Sequence, residues 1–170
     1  MKKILIANRG EIAVRVIRTC REVGIETVAV FSDADRTSPH VLIASEAYAI
    51  GSAPSGKSYL RQDKILDVAQ VCAADAIHPG YGFLSENTDF AQAVVDAGMI
   101  WIGPPPEAVA LMGDKVSART IALEAGVAVV PGSAEPVTDE KSAAEIAAGI
   151  GYPILMKAVG GGRRQGNESC

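Results

Sequence analysis

The sequence predicts an open, parallel, doubly wound α/β sheet with helices on both faces. Three observations carry this expectation. Short apolar runs alternate with longer stretches whose apolar residues recur at helical spacing. The runs are rich in Ile, Val and Ala, as fully buried strands are. Glycine, or proline with glycine, punctuates the junctions.

Residues 3–7 (KILIA) form the first apolar run and predict a buried strand. Residues 11–23 carry Ile12, Val16, Ile17 and Cys20 on one stripe, a helix that Gly24 ends. TVAVF (27–31) is the second strand, and 47–50 is a weaker third. Residues 63–72 repeat Ile65, Leu66, Val68, Ala69 and Cys72 and predict a second helix. Residues 76–78 are a short strand that runs into a Pro-Gly loop; 89–97 are helical, and 100–102 are a strand ended by Gly103-Pro104. Beyond Pro104-Pro105-Pro106 the texture changes. Helices are expected over 107–112, 115–125 and 142–150, and a strand over 154–159, with Pro131-Gly132 and Pro136 marking a linker.

With 170 residues, 48% hydrophobic, 21% charged and a formal net charge of −4, the chain has an ordinary globular composition. That balance gives no global field for nucleic acid. No run approaches a membrane span and no secretory leader is read at the start, so a cytoplasmic location is expected. Cys20, Cys72 and Cys170 lack metal-ligand spacing; Cys20 and Cys72 are expected to be small buried thiols. No metal site is predicted.

Four segments carry candidate chemistry. Gly51-Ser52-Ala53-Pro54-Ser55-Gly56-Lys57-Ser58 fits the P-loop pattern, in which backbone N–H groups cradle phosphates and Lys57 and Ser58 serve the terminal phosphate and Mg²⁺. Against it, the preceding strand is weak and the next helix starts only near Gln62, so its N-terminus would miss the phosphates. A P-loop nucleotidase is therefore the lesser alternative. His78-Pro79-Gly80-Tyr81-Gly82-Phe83-Leu84-Ser85-Glu86-Asn87 lies at a strand's carboxyl end, where open α/β sheets bind ligands; it reads equally as a structural turn, with Ser85 as a cap for the next helix. Lys115 follows Asp114 at a helix start, where a cation answers an anion rather than the helix dipole. Lys157 sits in an otherwise apolar strand, and the following Gly160, Gly161 and Gly162 free the backbone to lie over phosphates. The Ala7-Asn8-Arg9-Gly10-Glu11 turn lacks the later glycines of a dinucleotide fingerprint.

The stretches IANRGEIAVRVIR, ADRTSPHV, IHPGYGFLSEN, WIGPPPEAV, LMGDKVSAR and GYPILMKAVGGG, in this order, closely resemble the start of biotin carboxylases. These are the ATP-grasp components of acyl-CoA and pyruvate carboxylases, and the resemblance covers residues 1–162. It implies a Rossmann-like pre-ATP-grasp domain over 1–103, a helical connection over 104–130 and an incomplete ATP-grasp lid subdomain over 131–162. It further implies carboxylation of biotin by bicarbonate with MgATP, through carboxyphosphate. Lys115, Lys157 and Gly160–Gly162 would serve ATP, Tyr81 and Gly82 would border the biotin pocket, and Arg18 and Glu22 would lie near a dimer interface. The implied partners are a biotin carboxyl carrier protein, a carboxyltransferase and a second copy of the chain. Gly51–Ser58 aligns with a family loop outside the nucleotide site.

The tail departs from the family, whose loop continues GGGGKGMRVV. Arg163–Cys170 can be written CGG CGG CAA GGG AAT GAG AGT TGT, and dropping the first nucleotide restores Gly-Gly-Lys-Gly-Met-Arg-Val. The expectation is a truncated biotin carboxylase with an out-of-frame tail over 163–170. The catalytic residues would then lie downstream, and the chain alone would be inactive or serve as a non-catalytic dimerisation module. The apolar Ile154, Leu155 and Met156 are expected to lack cover.

Overall fold

The computed structural model describes residues 1–113, 115–133, 136–157 and 167–169, with the backbone alone for 115, 116, 157 and 167–169. The chain forms two compact units, Met1–Ala110 and Leu111–Cys170.

The first unit is built on five parallel strands: β1 (Lys3–Ile6), β2 (Glu26–Ser32), β3 (Glu46–Gly51), β4 (Ala76–His78) and β5 (Ile100–Trp101). Their order across the sheet is β3-β2-β1-β4-β5. The helices are α1 (Gly10–Glu22), α2 (Pro39–Ile43), α3 (Gln62–Val71), α4 (Thr88–Asp96) and α5 (Pro106–Gly113), the last running into the second unit.

The twofold alternation of β1 builds a core on each face of the sheet. Leu5 and Ala7 join Val28, Val30 and Ile77 under α3 (Ile65, Ala69) and α4 (Phe90, Ala91, Val94). Ile4 and Ile6 face the other way, onto α1 through Ala13, Ile17 and Cys20 and onto α2 through Ile43. Phe90 meets Trp101 edge to face at 5.7 Å, closing the β5 side. Such a pair adds about 0.5–1.5 kcal/mol beyond its buried area. The doubly wound reading is therefore the architecture observed. Strand β3 is one of the two edges of the sheet, and its outward residues are exposed, which explains its weak apolar signal.

Helices α1, α3 and α4 end alike. The residue after the C-cap takes a left-handed conformation and its N–H reaches back into the last turn: Gly24 to the Arg21 carbonyl, Ala73 to Gln70, Gly98 to Val95. Two of these positions are glycine. Ala73 fills the same role at φ +52°.

Short elements escaped the sequence reading. The five residues of α2 are too few to show a stripe, and Pro39 at its first turn is their only start signal. Two 3-10 turns, Asp33–Asp35 and Ser55–Lys57, hold the connections around β3. The cap of α4 is corrected as well: Asn87, not Ser85, accepts the Phe90 N–H, at 2.8 Å.

The second unit holds α6 (Lys115–Glu124), α7 (Glu140–Ile150), β6 (Leu155–Lys157) and β7 (Asn167–Ser169). Asp139 caps α7 through the Ser142 N–H, and Gly126 closes α6 with a left-handed turn. β6 and β7 pair antiparallel, Leu155 opposite Ser169. Leu155 and Met156 are exposed and Ile154 is partly covered, in line with the expected lack of cover.

Candidate functional site

The strand order reverses between β1 and β4. The chain leaves β1 for β2 and β3 on one side, then returns to place β4 and β5 on the other. In doubly wound sheets ligands bind at such a switch point, in the crevice outside the carboxyl ends of the neighbouring strands. Of the loops at these ends, one is Ala7-Asn8-Arg9-Gly10 and the other His78-Pro79-Gly80-Tyr81-Gly82-Phe83.

Asn8 ties the two loops together. Its buried amide donates to the Pro79 carbonyl at 2.8 Å and the Tyr81 carbonyl at 2.9 Å, and its oxygen accepts the Arg9 N–H at 2.9 Å. Gly80 lies against this amide at φ +67°. A Cβ there would sit 2.6 Å from Asn8 Nδ2 and 2.8 Å from Ile12 Cγ2, so glycine is required for space as well as conformation.

Arg9 is fixed by Asp35. Its Nε donates to Asp35 Oδ2 at 2.8 Å and its Nη2 to Oδ1 at 2.5 Å, a bidentate pair. Asp35 is buried and also accepts from the Tyr59 hydroxyl at 2.8 Å, the Ser32 hydroxyl at 3.0 Å and the Ser38 hydroxyl at 3.3 Å. Hydrogen bonds from Arg9, supported by those of Tyr59 and Ser32, hold the Asp35 carboxyl far below the usual carboxylate range. The same pair raises the Arg9 guanidinium further. Tyr59 is buried, its hydroxyl also accepts the Ser32 N–H at 3.1 Å, and burial pushes its phenol up.

The second loop is held in a costly conformation. Gly80, Gly82 and Phe83 all have positive φ, and for Phe83 at +46° this costs on the order of 1–3 kcal/mol. Phe83 stacks on Tyr59 with ring centroids 5.2 Å apart. Tyr81 stands 63% exposed and its phenol donates to Glu11 at 2.7 Å, a bond that raises the phenol's pKa. His78 turns inward: its Nδ1 accepts the Gly80 N–H at 2.9 Å and burial pulls its pKa below the usual imidazole range. Near neutrality the crevice thus presents a neutral imidazole, a protonated phenol and a compensated guanidinium.

The structure brings Tyr81 and Gly82 to the crevice and places Arg18 and Glu22 four residues apart on exposed α1. Lys115 opens α6 and Lys157 ends β6 by backbone position, while Gly160–Gly162 and Asp114 lie outside the described residues. The P-loop reading of Gly51–Ser58 is not supported by the geometry. The N–H groups of Lys57 and Ser58 donate to Pro54 and Ser55 carbonyls, and the Ser58 hydroxyl donates to Pro54 at 3.0 Å. Instead of a phosphate, the loop holds the Lys64 ammonium, which donates to the Ile50 and Lys57 carbonyls at 2.9 and 3.3 Å. Sequence reasoning missed Asn8, Asp35 and Tyr59 as site-building residues; for Asp35, which is buried, the available signal was an acidic side chain three residues past the end of an apolar strand.

Residues 1–109 match the model of the biotin carboxylase N-terminal domain, and 114–169 match the ATP-binding domain of the carbamoyl-phosphate synthase large chain. This chain belongs to the biotin carboxylase family. It is 56% identical over 98% of its length to a biotin carboxylase of Allochromatium vinosum, and 51% identical over 96% to the mitochondrial propionyl-CoA carboxylase alpha chain of Sus scrofa. It spans 37% and 22% of those two proteins. Among solved structures, the biotin carboxylase domain dimer of Hydrogenobacter thermophilus 2-oxoglutarate carboxylase, in complex with MgADP, ADP and bicarbonate, matches 99% of the chain at TM-score 0.90 and 48% identity, with 37% of that chain covered. Rhizobium etli pyruvate carboxylase matches all of the chain at TM-score 0.87 and 43% identity, over 15% of its own length. Such relatives are parts of biotin-dependent carboxylases. No helix of the described residues is long and apolar enough to cross a membrane.

Proposed function

We propose that this chain supplies the front portion of a biotin carboxylase, the ligase that uses MgATP and bicarbonate to carboxylate biotin on a carrier protein. The observation that carries the reading is the match along nearly the whole chain to biotin carboxylases; the β1/β4 switch point, the place where doubly wound sheets bind ligands, is consistent with it. In this reading Tyr81 and Gly82 form one wall of the biotin pocket. Lys115, Lys157 and Gly160–Gly162 serve ATP, whose terminal phosphoryl group would activate bicarbonate. Arg18 and Glu22, exposed on α1, serve pairing with a second copy. Residues 104–130 connect the sheet domain to an ATP-grasp portion. A carboxyltransferase and a biotin carrier are the further partners, and the two buried free cysteines, Cys20 and Cys72, suit a reducing cytoplasm.

The relatives extend well beyond the span matched here, so the isolated chain is expected to lack carboxylation activity. The test is to assay ADP release that depends on bicarbonate and biotin, first with the purified chain and then with its residues 1–162 joined to the remaining part of the A. vinosum relative. Silence in the first assay and activity in the second support the reading. Activity in neither, with a folded fusion, rejects it.

A further inference from the structure

The P-loop-like segment is left without a phosphate to bind, yet its geometry gives it another task. It delivers Tyr59 and Gln62 beneath the crevice loop. Tyr59 stacks on Phe83 at 5.2 Å with the rings 15° from parallel, and Gln62 Nε2 donates to Asn87 Oδ1 at 3.1 Å. Asn87 is the residue that caps α4, where the crevice loop ends. The stretch from Gly51 to Gln62 therefore touches the connection between β4 and α4 at two separate places, Phe83 and the α4 cap Asn87.

Tyr59 itself is pinned from below. Its hydroxyl donates to Asp35 and accepts from Ser32, and the same Asp35 oxygen holds Arg9 Nε. Arg9 lies over the Tyr59 ring at 5.9 Å. A continuous chain thus runs Arg9, Asp35, Tyr59, Phe83, joining the two loops that face each other across the crevice. Phe83 is 37% exposed and occupies a left-handed conformation that bulky residues avoid, so burial alone does not explain its posture.

We propose that the Gly51–Gln62 segment is a brace for the ligand-facing loop, with Tyr59 and Phe83 as positioning residues that set where Tyr81 and Gly82 stand. Neither residue touches the ligand; they act through the loop. The inference deepens the biotin-pocket reading and rests on it only for the use to which the posture is put. The posture itself is measured without substrate, so failure of the brace and failure of the pocket reading are separate results.

The test uses the whole chain labelled with 3-fluorotyrosine. It has four tyrosines, Tyr48, Tyr59, Tyr81 and Tyr152, so the fluorine spectrum is simple, and Tyr81→Phe identifies the Tyr81 signal. Phe83→Ala is expected to move the Tyr81 signal to its position in the unfolded chain, while the Tyr48 signal and Trp101 fluorescence stay native. Phe83→Tyr, which keeps a ring for stacking, is expected to restore the Tyr81 signal. Gln62→Ala, which leaves the core intact, should displace it in the same direction. A native Tyr81 signal in both Phe83→Ala and Gln62→Ala overturns the proposal. So does displacement of Tyr81 and Tyr48 together in Phe83→Ala with no change in Gln62→Ala, because that pattern marks general unfolding.

Discussion

Gly80 packs against Asn8 so closely that the smallest side chain at residue 80 would meet the Asn8 amide at 2.6 Å. The contact is what lets Asn8 reach two carbonyls of the opposite loop. Gly80→Ala is expected to destabilise the first unit by about 2–4 kcal/mol, from the clash plus the left-handed φ. Urea unfolding followed by Trp101 fluorescence checks this. A loss within about 0.5 kcal/mol, the range of ordinary surface changes, would show that the Asn8 link is dispensable.

Asp35 gathers Arg9, Tyr59, Ser32 and Ser38 on one buried carboxylate. Asp35→Ala leaves those donors without their acceptor. Breaking a buried pair costs about 3–5 kcal/mol, and the Arg9 side chain is 46% exposed, so the expected loss lies at or below the low end, about 2–3 kcal/mol. The wild-type contribution is complete above the unfolded Asp pKa of about 3.9 and fades as the pH falls from there toward the much lower folded value. An acid titration of stability should therefore be flatter below about pH 4 for Asp35→Ala than for the wild type.

The histidines act at milder pH. His40 is fully buried in α2 and, among the described residues, neither ring nitrogen has a hydrogen-bond partner; the nearby Val30 carbonyl and Asp35 favour its charged form, but burial prevails and lowers its pKa. His78 is likewise lowered by burial. The unfolded chain then binds more protons below about pH 6.5, so stability is full above that value and falls as the pH drops through it. Each histidine contributes a slope of up to about 1.4 kcal/mol per pH unit. Unfolding midpoints between pH 7.5 and 5.5 should show a shallower decline for His40→Phe than for the wild type, and an unchanged slope would contradict the assignment.

Ala73 does the work that glycine does after α1 and α4, at φ +52°. Ala73→Gly removes the left-handed penalty of roughly 1–2 kcal/mol and adds back part of it as unfolded-state entropy. A net gain of about 0.5–1 kcal/mol is expected, seen as a higher thermal midpoint.

The architecture was legible because it rests on local patterns. TVAVF and KILIA are buried strands whichever neighbour they take, and the Ile12-Val16-Ile17-Cys20 stripe fixes the buried side of α1. Gly24 is legible as a helix end because left-handed closure is a local demand. The site was half legible. Tyr81 and Gly82 lie in a dense Pro-Gly loop, and a carboxyl-end position identifies such a loop without knowledge of its partners. Asp35 and Tyr59 were not legible, since their roles arise from contacts 26 and 24 residues away. The Gly51–Ser58 pattern, already the lesser alternative in the sequence, fails for a related reason. A motif fixes residue types, but the direction of its N–H groups depends on the turn, and here a 3-10 turn consumes them. Ser85 and Asn87 are both capping types, and only the extended backbone of Asn87 beside the first helical turn decides between them.

The most direct test joins residues 1–162 to the remaining part of a relative and measures KM for biotin and for ATP in the unsubstituted fusion and in Tyr81→Ala. A raised biotin KM with the ATP KM unchanged is expected, because Tyr81 stands 63% exposed at the switch point and, among the described residues, its phenol bonds Glu11. An unchanged biotin KM, or a change confined to ATP, would contradict the placement of biotin at the β1/β4 crevice.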